Sequence, residues 1–191
     1  MAAKASHSDA GATRDVLLCV TGGIAAYKSA DLASKLVQAG AGVTVAMTES
    51  ACRLIQPLTF QALTHRPVYT RLWLEPGACE IEHVALTEKA DLMVVAPATA
   101  NILAKFAVGI ADDLVSTLGL SACGACGILV APAMNHRMWN APATQANVKT
   151  LRDRGVQFVG PDEGNLACGS KGAGRMAEPA DILQRILELL Q

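Results

Sequence analysis

Five short runs of aliphatic and β-branched residues recur along the chain, and none of them alternates with polar residues. They are residues 15–20, 42–47, 91–97, 127–132 and 156–160. Uninterrupted apolar runs of this length are typical of strands that are covered on both faces, as in a parallel sheet. We therefore predict five buried β-strands.

The segments between these runs have the periodicity of amphipathic helices. In residues 24–39 apolar side chains recur at helical spacing until Gly40 ends the pattern. The same periodicity extends over residues 99–121, where we predict a break near Gly109. Further helical patterns cover residues 141–155 and 178–191. Helices are thus predicted between successive strands and at the C-terminal end.

This alternation predicts an α/β fold, a single-domain doubly wound parallel sheet in a Rossmann-like or flavodoxin-like three-layer sandwich. The domain is predicted to span residues 15–191, after a flexible tail over residues 1–14. Residues 56–82 and 160–177 show no clear pattern, and we predict irregular loops there. Sheets of this kind bind ligands beyond the carboxyl ends of their strands, so the loops that follow the strands are the candidate site.

The composition of the chain argues against nucleic acid and membranes as binding partners. Charged residues make up 17% of the 191 residues and the net charge is -1, so there is no basic surface for nucleic acid or for a membrane. The apolar runs are shorter than the roughly 18 residues of a membrane helix, and the first fifteen residues lack the apolar block of a signal peptide. We predict a cytoplasmic protein.

The six cysteines do not have the spacing of a disulfide framework, and we predict free thiols. Cys123 and Cys126 form a CxxC pair, which is compatible with a redox dithiol or half of a zinc site. No second pair or histidine cluster accompanies them in the sequence. We interpret them as small residues in a helix-to-strand connection and predict no metal site.

The loop after the first strand resembles two nucleotide-binding patterns and matches neither. A Walker loop needs glycine directly before lysine, but Tyr27 precedes Lys28. The dinucleotide pattern needs a third glycine, which is missing here. Gly22 and Gly23 nevertheless allow backbone N–H groups to approach a phosphate at the start of a helix. A plain tight turn explains the two glycines equally well.

Small and polar residues also follow the second and third strands. They are Thr48, Glu49 and Ser50 after the second strand, and Thr99, Ala100, Asn101 and Ile102 after the third. Each group is compatible with simple helix capping. Because all three loops lie at one edge of the predicted sheet, together they predict a pocket for a planar molecule that carries a phosphate.

Three further residues are chemically suggestive but ambiguous on their own. His83 precedes a predicted strand, although a lone histidine is more often a structural hydrogen-bonding group than a base. Asn135 follows the fourth strand, where an Asx turn is common. Cys168 lies beside Ala167 and Gly169, where a cysteine is commonly a small core residue, but the surrounding glycine-rich segment "NLACGSKGAGRM" ends near Arg175 and is typical of a flap that folds over a substrate.

Four stretches carry a resemblance to a known family. "PAMNHRMW" fits the pattern Pro-x-Met-Asn-x-x-Met-Trp completely, and "ACGSKGAGRM" is similar to a substrate-clamping flap. His83 precedes a helix and a strand, and "PATANILAKFAVGIADDL" is similar to a Pro-Ala-Ser-Ala-Asn-Thr region, with Thr99 and Ile102 in place of its Ser and closing Thr. From about Val16 to its end, the chain resembles the flavin-containing cysteine decarboxylase family.

The resemblance implies a bound FMN and a set of site residues. The FMN would be held by Gly22, Gly23, Ile24, Thr48, Glu49, Ser50, Thr99, Ala100, Asn101, Ile102 and Ala133. By the same resemblance, His83 is the base, Asn135 binds the substrate carboxylate and Cys168 donates a proton. Substrate contacts would also come from Met138, Ala167, Gly169, Arg175 and Met176.

The implied activity is FMN-dependent decarboxylation of 4'-phosphopantothenoylcysteine to 4'-phosphopantetheine and CO2 in coenzyme A biosynthesis. Transient oxidation of the carbon that carries the thiol would create the electron sink for loss of CO2. The resemblance also implies a homotrimer or a dodecamer of trimers, with FMN between subunits. A phosphopantothenoylcysteine synthetase is an expected partner, and the sequence does not decide whether it is a separate protein or a further domain.

Three other functions are open on the same scaffold. A peptidyl-cysteine decarboxylase would release an unsaturated enethiol, so it would need no returning proton, and Cys168 argues against it. A regulatory flavoprotein that inhibits phosphatases would be marked by loss of His83 or Cys168, both of which are present. An electron-transfer flavoprotein of flavodoxin type would have an acidic surface and no substrate flap, so the sequence disfavours it.

Overall fold

The computed structural model describes residues 14–73, 82–165 and 171–191. Its strands are β1 (Asp15–Val20), β2 (Gly42–Met47), β3 (Val68–Tyr69), β4 (Leu92–Ala98), β5 (Gly127–Pro132), β6 (Gln157–Phe158), β7 (Asp162–Asn165) and β8 (Lys171–Arg175). Its helices are α1 (Ala26–Gln38), α2 (Glu49–Cys52), α3 (Pro57–Thr64), α4 (Glu82–Lys89), α5 (Ala100–Val108), α6 (Leu114–Ser121), α7 (His136–Trp139), α8 (Pro142–Asp153) and α9 (Pro179–Leu189). The predicted tail, apart from Arg14, lies outside the described residues.

The main sheet has six parallel strands in the order β3-β2-β1-β4-β5-β6. The chain first builds the sheet outward from β1 through β2 to β3, and then returns to place β4 on the other side of β1. This arrangement confirms the predicted doubly wound fold. The reversal leaves a crevice at the carboxyl ends of β1 and β4, which is where such sheets bind ligands.

Helices cover both faces of the sheet. On one face α1 packs against α3 and α9, and on the other α5 packs against α6 and α8 while α4 contacts α6. Neighbouring residues of β1 show how the sheet divides the core, because Leu17 and Leu18 are both buried but belong to clusters on opposite faces. Burial on both faces explains why the strands lack polar alternation.

Two predicted loops were wrong. Residues 56–82 contain α3, which begins at Pro57, and the short edge strand β3. Residues 160–177 contain β7 and β8, which pair as an antiparallel hairpin separate from the main sheet. Apart from Ala173, both strands of this hairpin are built from glycine and polar residues, DEGN and KGAGR, so they have no apolar run that predicts a strand.

The remaining elements follow the predicted pattern closely. The predicted helical stretch 99–121 is broken at Gly109, which has a φ of 79° and ends α5. The predicted strand 156–160 is shorter than expected, since only Gln157–Phe158 pair with β5. Across the described ranges, no helix combines the length and the apolar character that crossing a membrane requires.

Candidate functional site

A cleft of about 1250 Å³ opens at the carboxyl ends of β1, β2, β4 and β5. Ligand pockets are commonly about 300–1,000 Å³, so it has room for a cofactor and a substrate together. It is lined by Thr21, Gly22, Gly23, Ile24, Ala25, Tyr27, Lys28, Thr48, Glu49, Ser50, Thr99, Ala100, Asn101, Ile102, Lys105, Asp113, Ala133, Met134, Asn135, Met138, Gly174, Arg175, Met176 and Glu178.

Buried Thr21 fixes the first wall of this cleft. Its hydroxyl donates to the Pro97 carbonyl at 2.6 Å and accepts from the Thr99 backbone N–H at 3.3 Å. The loop after β1 is thereby joined to the loop after β4. Gly22 lies so close to Ser50, which follows β2, that a Cβ at position 22 would overlap the Ser50 Cβ. The glycine is needed because the two loops make close contact there.

We expect Gly22→Ala to widen this contact and to weaken cofactor binding. Overpacking of this kind costs about 1–3 kcal/mol, so chemical denaturation should show a lower free energy of unfolding. Gly23→Ala is the matched control, because a Cβ at position 23 meets its nearest atoms at an ordinary 3.5 Å. Equal loss of stability in both variants would contradict a specific role for the Gly22 contact, whereas FMN affinity is compared by titration between Gly22→Ala and the wild-type protein, because Gly23 is itself predicted to hold FMN.

The loops after β2 and β4 cap the helices that follow them and also line the cleft. The Thr48 hydroxyl accepts from the Ala51 N–H at 3.2 Å, and the Thr99 hydroxyl accepts from the Ile102 N–H at 3.3 Å. The α1 helix differs, because its N-cap residue Ala25 makes no side-chain capping bond. The N–H groups of Ala26 and Lys28 donate instead to the carbonyls of Gly23 and Ala25, and the start of α1 presents its positive dipole end at the cleft, which suits an anionic group.

The loop after β5 joins the cleft to the β7–β8 hairpin. The Met134 N–H donates to the Gly174 carbonyl at 2.9 Å, and a Cβ at position 174 would overlap the Met134 carbonyl oxygen. The Asn135 side-chain oxygen accepts from the Arg137 N–H at 2.8 Å and caps α7. The predicted Asx turn is therefore present, and this bond fixes the orientation of the Asn135 amide on the cleft wall.

Three charged side chains meet where α1, β8 and α9 approach one another. The Lys28 ammonium lies 2.9 Å and 3.0 Å from the two Glu178 carboxylate oxygens, and the Arg175 guanidinium lies 3.4 Å from one of them. The hydrogen bond from Lys28 lowers the pKa of the Glu178 carboxyl below its usual value. Glu178 is therefore ionised at neutral pH.

A second charged group lies at another part of the cleft. The Lys105 ammonium is 2.5 Å from an Asp112 oxygen and 2.6 Å from an Asp113 oxygen. Burial alone would lower the pKa of Lys105, but the hydrogen bonds with Asp112 and Asp113 raise it above its usual value. Lys105 is thus a permanent cation, neutralised by its own carboxylates.

Every residue predicted to bind the cofactor lines this one cleft, together with Asn135, Met138, Arg175 and Met176 from the predicted substrate set. His83 does not line it. It is half-buried on α4, where its backbone carbonyl accepts a hydrogen bond from the Thr87 hydroxyl. Ala167, Cys168 and Gly169 lie outside the described residues. The structure thus brings the predicted loops together but leaves their individual roles as predictions.

Sequence reasoning missed several residues that line the cleft. The chemically important ones are Thr21, Lys28, Lys105, Asp113 and Glu178. Lys105 follows Asn101 by one helical turn on α5, so helical spacing was the available signal for it. Glu178 offered no such signal, because its partner Lys28 is 150 positions away in the chain.

Comparison with known proteins gives a consistent result. The Flavoprotein family model matches residues 4–191. The chain is 52% identical over 171 residues to the coenzyme A biosynthesis bifunctional protein CoaBC of Bacillus subtilis. The matched region makes up 90% of this chain but only 42% of that protein. It is 42% identical to a probable phosphopantothenoylcysteine decarboxylase of Streptococcus mutans, over 93% of this chain and 99% of that protein. The chain therefore spans less than half of the bifunctional relatives and nearly all of the shorter one.

Solved structures resemble the whole described fold. A variant of PPC decarboxylase complexed with pantothenoylaminoethenethiol superposes with a TM-score of 0.82 and 30% identity, covering 93% of this chain and 98% of that one. The FMN binding protein AtHal3 superposes with a TM-score of 0.79 and 30% identity, covering 93% and 96%.

Proposed function

Since the chain belongs to the Flavoprotein family, we propose that it is an FMN-dependent decarboxylase of 4'-phosphopantothenoylcysteine that acts in coenzyme A biosynthesis. The observation that carries the proposal is the single cleft lined by all of the predicted cofactor residues together with Asn135. The names of two relatives support it. They are the Streptococcus mutans protein, which matches along almost its full length, and the PPC decarboxylase structure.

The residues of the cleft fit FMN on several physical grounds. Gly22 and Gly23 line the cleft beside the start of α1, whose positive dipole end suits a phosphate. The apolar side chains of Ile24, Ala133 and Met134 suit a flat ring system. When bound, FMN supplies a two-electron acceptor and donor, so that the substrate carbon bearing sulfur is oxidised before CO2 leaves and reduced afterwards.

Asn135 is proposed to orient the carboxylate that leaves. Its oxygen is held by the Arg137 N–H, and its amide nitrogen is the donor end of the same side chain. A neutral amide binds the carboxylate by hydrogen bonds without the full positive charge that would stabilise the ground state. The side chain is therefore suited to position the group while still allowing CO2 to depart.

His83 is proposed to take the proton from the substrate thiol, and since it does not line the cleft of its own chain, we propose that it acts on the cleft of a second copy. The resemblance supports this arrangement, because it implies trimers, or dodecamers of trimers, with the cofactor between subunits. Exposed apolar residues support it as well, since Ile24 and Tyr27 at the cleft are 66% and 65% exposed and Leu58 on α3 is 71% exposed. Large apolar residues exposed in this way are common at subunit interfaces.

Cys168 is proposed to return a proton to the substrate after CO2 has left. Its thiol would act as a general acid and yield the saturated product. The structures on either side of it are β7 and β8, which are joined to the cleft through Gly174 and Met134.

The proposed location is cytoplasmic, which the free thiols of Cys19, Cys52, Cys123 and Cys126 support. A phosphopantothenoylcysteine synthetase is the proposed protein partner, since CoaBC relatives are bifunctional.

The proposal is tested by loading the purified protein with FMN and supplying two substrates separately under nitrogen. One is phosphopantothenoylcysteine and the other is a peptide with a C-terminal cysteine. We expect CO2 release from the first and none above background from the second. Release from the peptide alone would assign the chain to peptidyl-cysteine decarboxylation, and bound FMN without any CO2 release would favour a regulatory flavoprotein.

A further inference from the structure

The charged cluster of Lys28, Arg175 and Glu178 has no role in the chemistry described above. Glu178 is the N-cap residue of α9, and its carboxylate contacts the Lys28 ammonium from α1 and the Arg175 guanidinium from β8. A second carboxylate also contacts the arginine, because Asp162 lies 3.8 Å from its other terminal nitrogen. Arg175 therefore has two partners, and one of them, Glu178, lies on the cleft wall.

The side chains of this cluster differ in how far they are exposed to solvent, which indicates different roles for them. The Lys28 side chain is only 14% exposed, whereas Glu178 and Arg175 are 44% and 42% exposed. Lys28 thus holds the carboxylate in place from the protein side, while the guanidinium remains accessible to a ligand. Lys28 and Arg175 are balanced by the carboxylates of Glu178 and Asp162, so an anion would be bound here through the directed N–H groups of the guanidinium and not through a net positive charge. The ion pairs of Arg175 are partly exposed and contribute little to folding, so they are better explained by binding than by stability.

The backbone next to Arg175 is fixed. Gly174 accepts a hydrogen bond from the Met134 N–H and packs directly against the Met134 carbonyl. The direction of the guanidinium is then set by its side-chain rotamers and by the carboxylate it pairs with. Glu178 contacts it from the cleft wall, and Asp162 contacts it from the hairpin.

We propose that Glu178 is a positioning residue that holds Arg175 on the cleft wall, where the guanidinium binds a phosphate monoester. The planar fork of arginine matches phosphate oxygens and forms charge-assisted hydrogen bonds with them. The inference rests on the proposed function, in which both the cofactor and the substrate carry such a group. It names a task for Glu178 that neither the family resemblance nor the relatives assign.

The test uses Glu178→Gln, Arg175→Met and the double variant in the FMN-loaded protein. If the phosphate is that of the substrate, each single change is expected to raise KM for phosphopantothenoylcysteine about tenfold while kcat changes less than about twofold, since only binding is affected. The double variant should be no worse than Arg175→Met alone, because Glu178 acts through the arginine. Glu188→Gln is the matched control, since Glu188 pairs with Arg185 in the same helix and does not line the cleft.

Two further arms identify which phosphate is bound. If it belongs to the substrate, the change in KM disappears with dephosphorylated pantothenoylcysteine. If it belongs to the cofactor, the variants lose affinity for FMN but not for riboflavin, with KM unchanged. Either result supports the proposal. Additive effects in the double variant, or unchanged binding of both phosphate compounds by Arg175→Met, would overturn it. Turnover by the wild-type protein tests the proposed function separately from these comparisons.

Discussion

Replacing Cys168 by serine is expected to halt the reaction after CO2 has left. A serine hydroxyl is a far weaker acid than a thiol, so the final proton cannot be supplied at a useful rate. Formation of the saturated product should fall by on the order of 10²–10⁴-fold, the contribution typical of a general acid. Mass spectrometry should detect a product that lacks two hydrogens relative to phosphopantetheine.

The matched control is Cys123→Ser, which changes an exposed free cysteine that does not line the cleft. This variant should behave like the wild-type protein. If Cys168→Ser also produced phosphopantetheine at the wild-type rate, Cys168 would have no part in proton return. The glycine-rich segment would then be a substrate-binding element only.

The second large effect is expected for Asn135→Asp. Aspartate is as good an N-cap as asparagine, so the bond to the Arg137 N–H survives and α7 should remain folded. Its negative charge, however, would repel the carboxylate of the substrate. Two unit charges 4 Å apart repel by about 4 kcal/mol at an effective dielectric constant of 20, so kcat/KM should fall on the order of 10²–10³-fold.

Asn140→Asp provides the control for charge alone. Asn140 ends the same short helix and is exposed, but it does not line the cleft. We expect Asn140→Asp to decarboxylate the substrate at a near-normal rate. FMN binding should be unchanged in both Asn140→Asp and Asn135→Asp. Equal losses of activity in the two variants would mean that the added charge, and not the position of Asn135, is responsible.

The sheet was predictable because its physical cause is visible in the sequence. Strands buried on both faces require continuous apolar runs, and β1, β2 and β5 begin and end at the predicted residues. Parallel strands separated by helices place all of their carboxyl ends at one edge. The candidate loops were therefore predicted to meet, although they are widely separated in the chain.

The hairpin and the charged cluster were not predictable, because the contacts that form them leave no pattern in the sequence. The strands β7 and β8 are held by backbone pairing and by contact with Met134, so their sequences need no apolar pattern. The pairing of Lys28 with Glu178 depends on how α1 and α9 pack on the sheet. His83 was predicted from the family resemblance, and one copy of the chain does not place it on the cleft.

The central claim is that this chain removes CO2 from phosphopantothenoylcysteine and completes the return of electrons and a proton to the substrate. The most direct measurement is the mass of the product that the FMN-loaded wild-type protein releases under nitrogen. The claim predicts a single product lighter than the substrate by one CO2 and fully saturated, which is phosphopantetheine. A product that also lacks two hydrogens, or recovery of unchanged substrate, would contradict it.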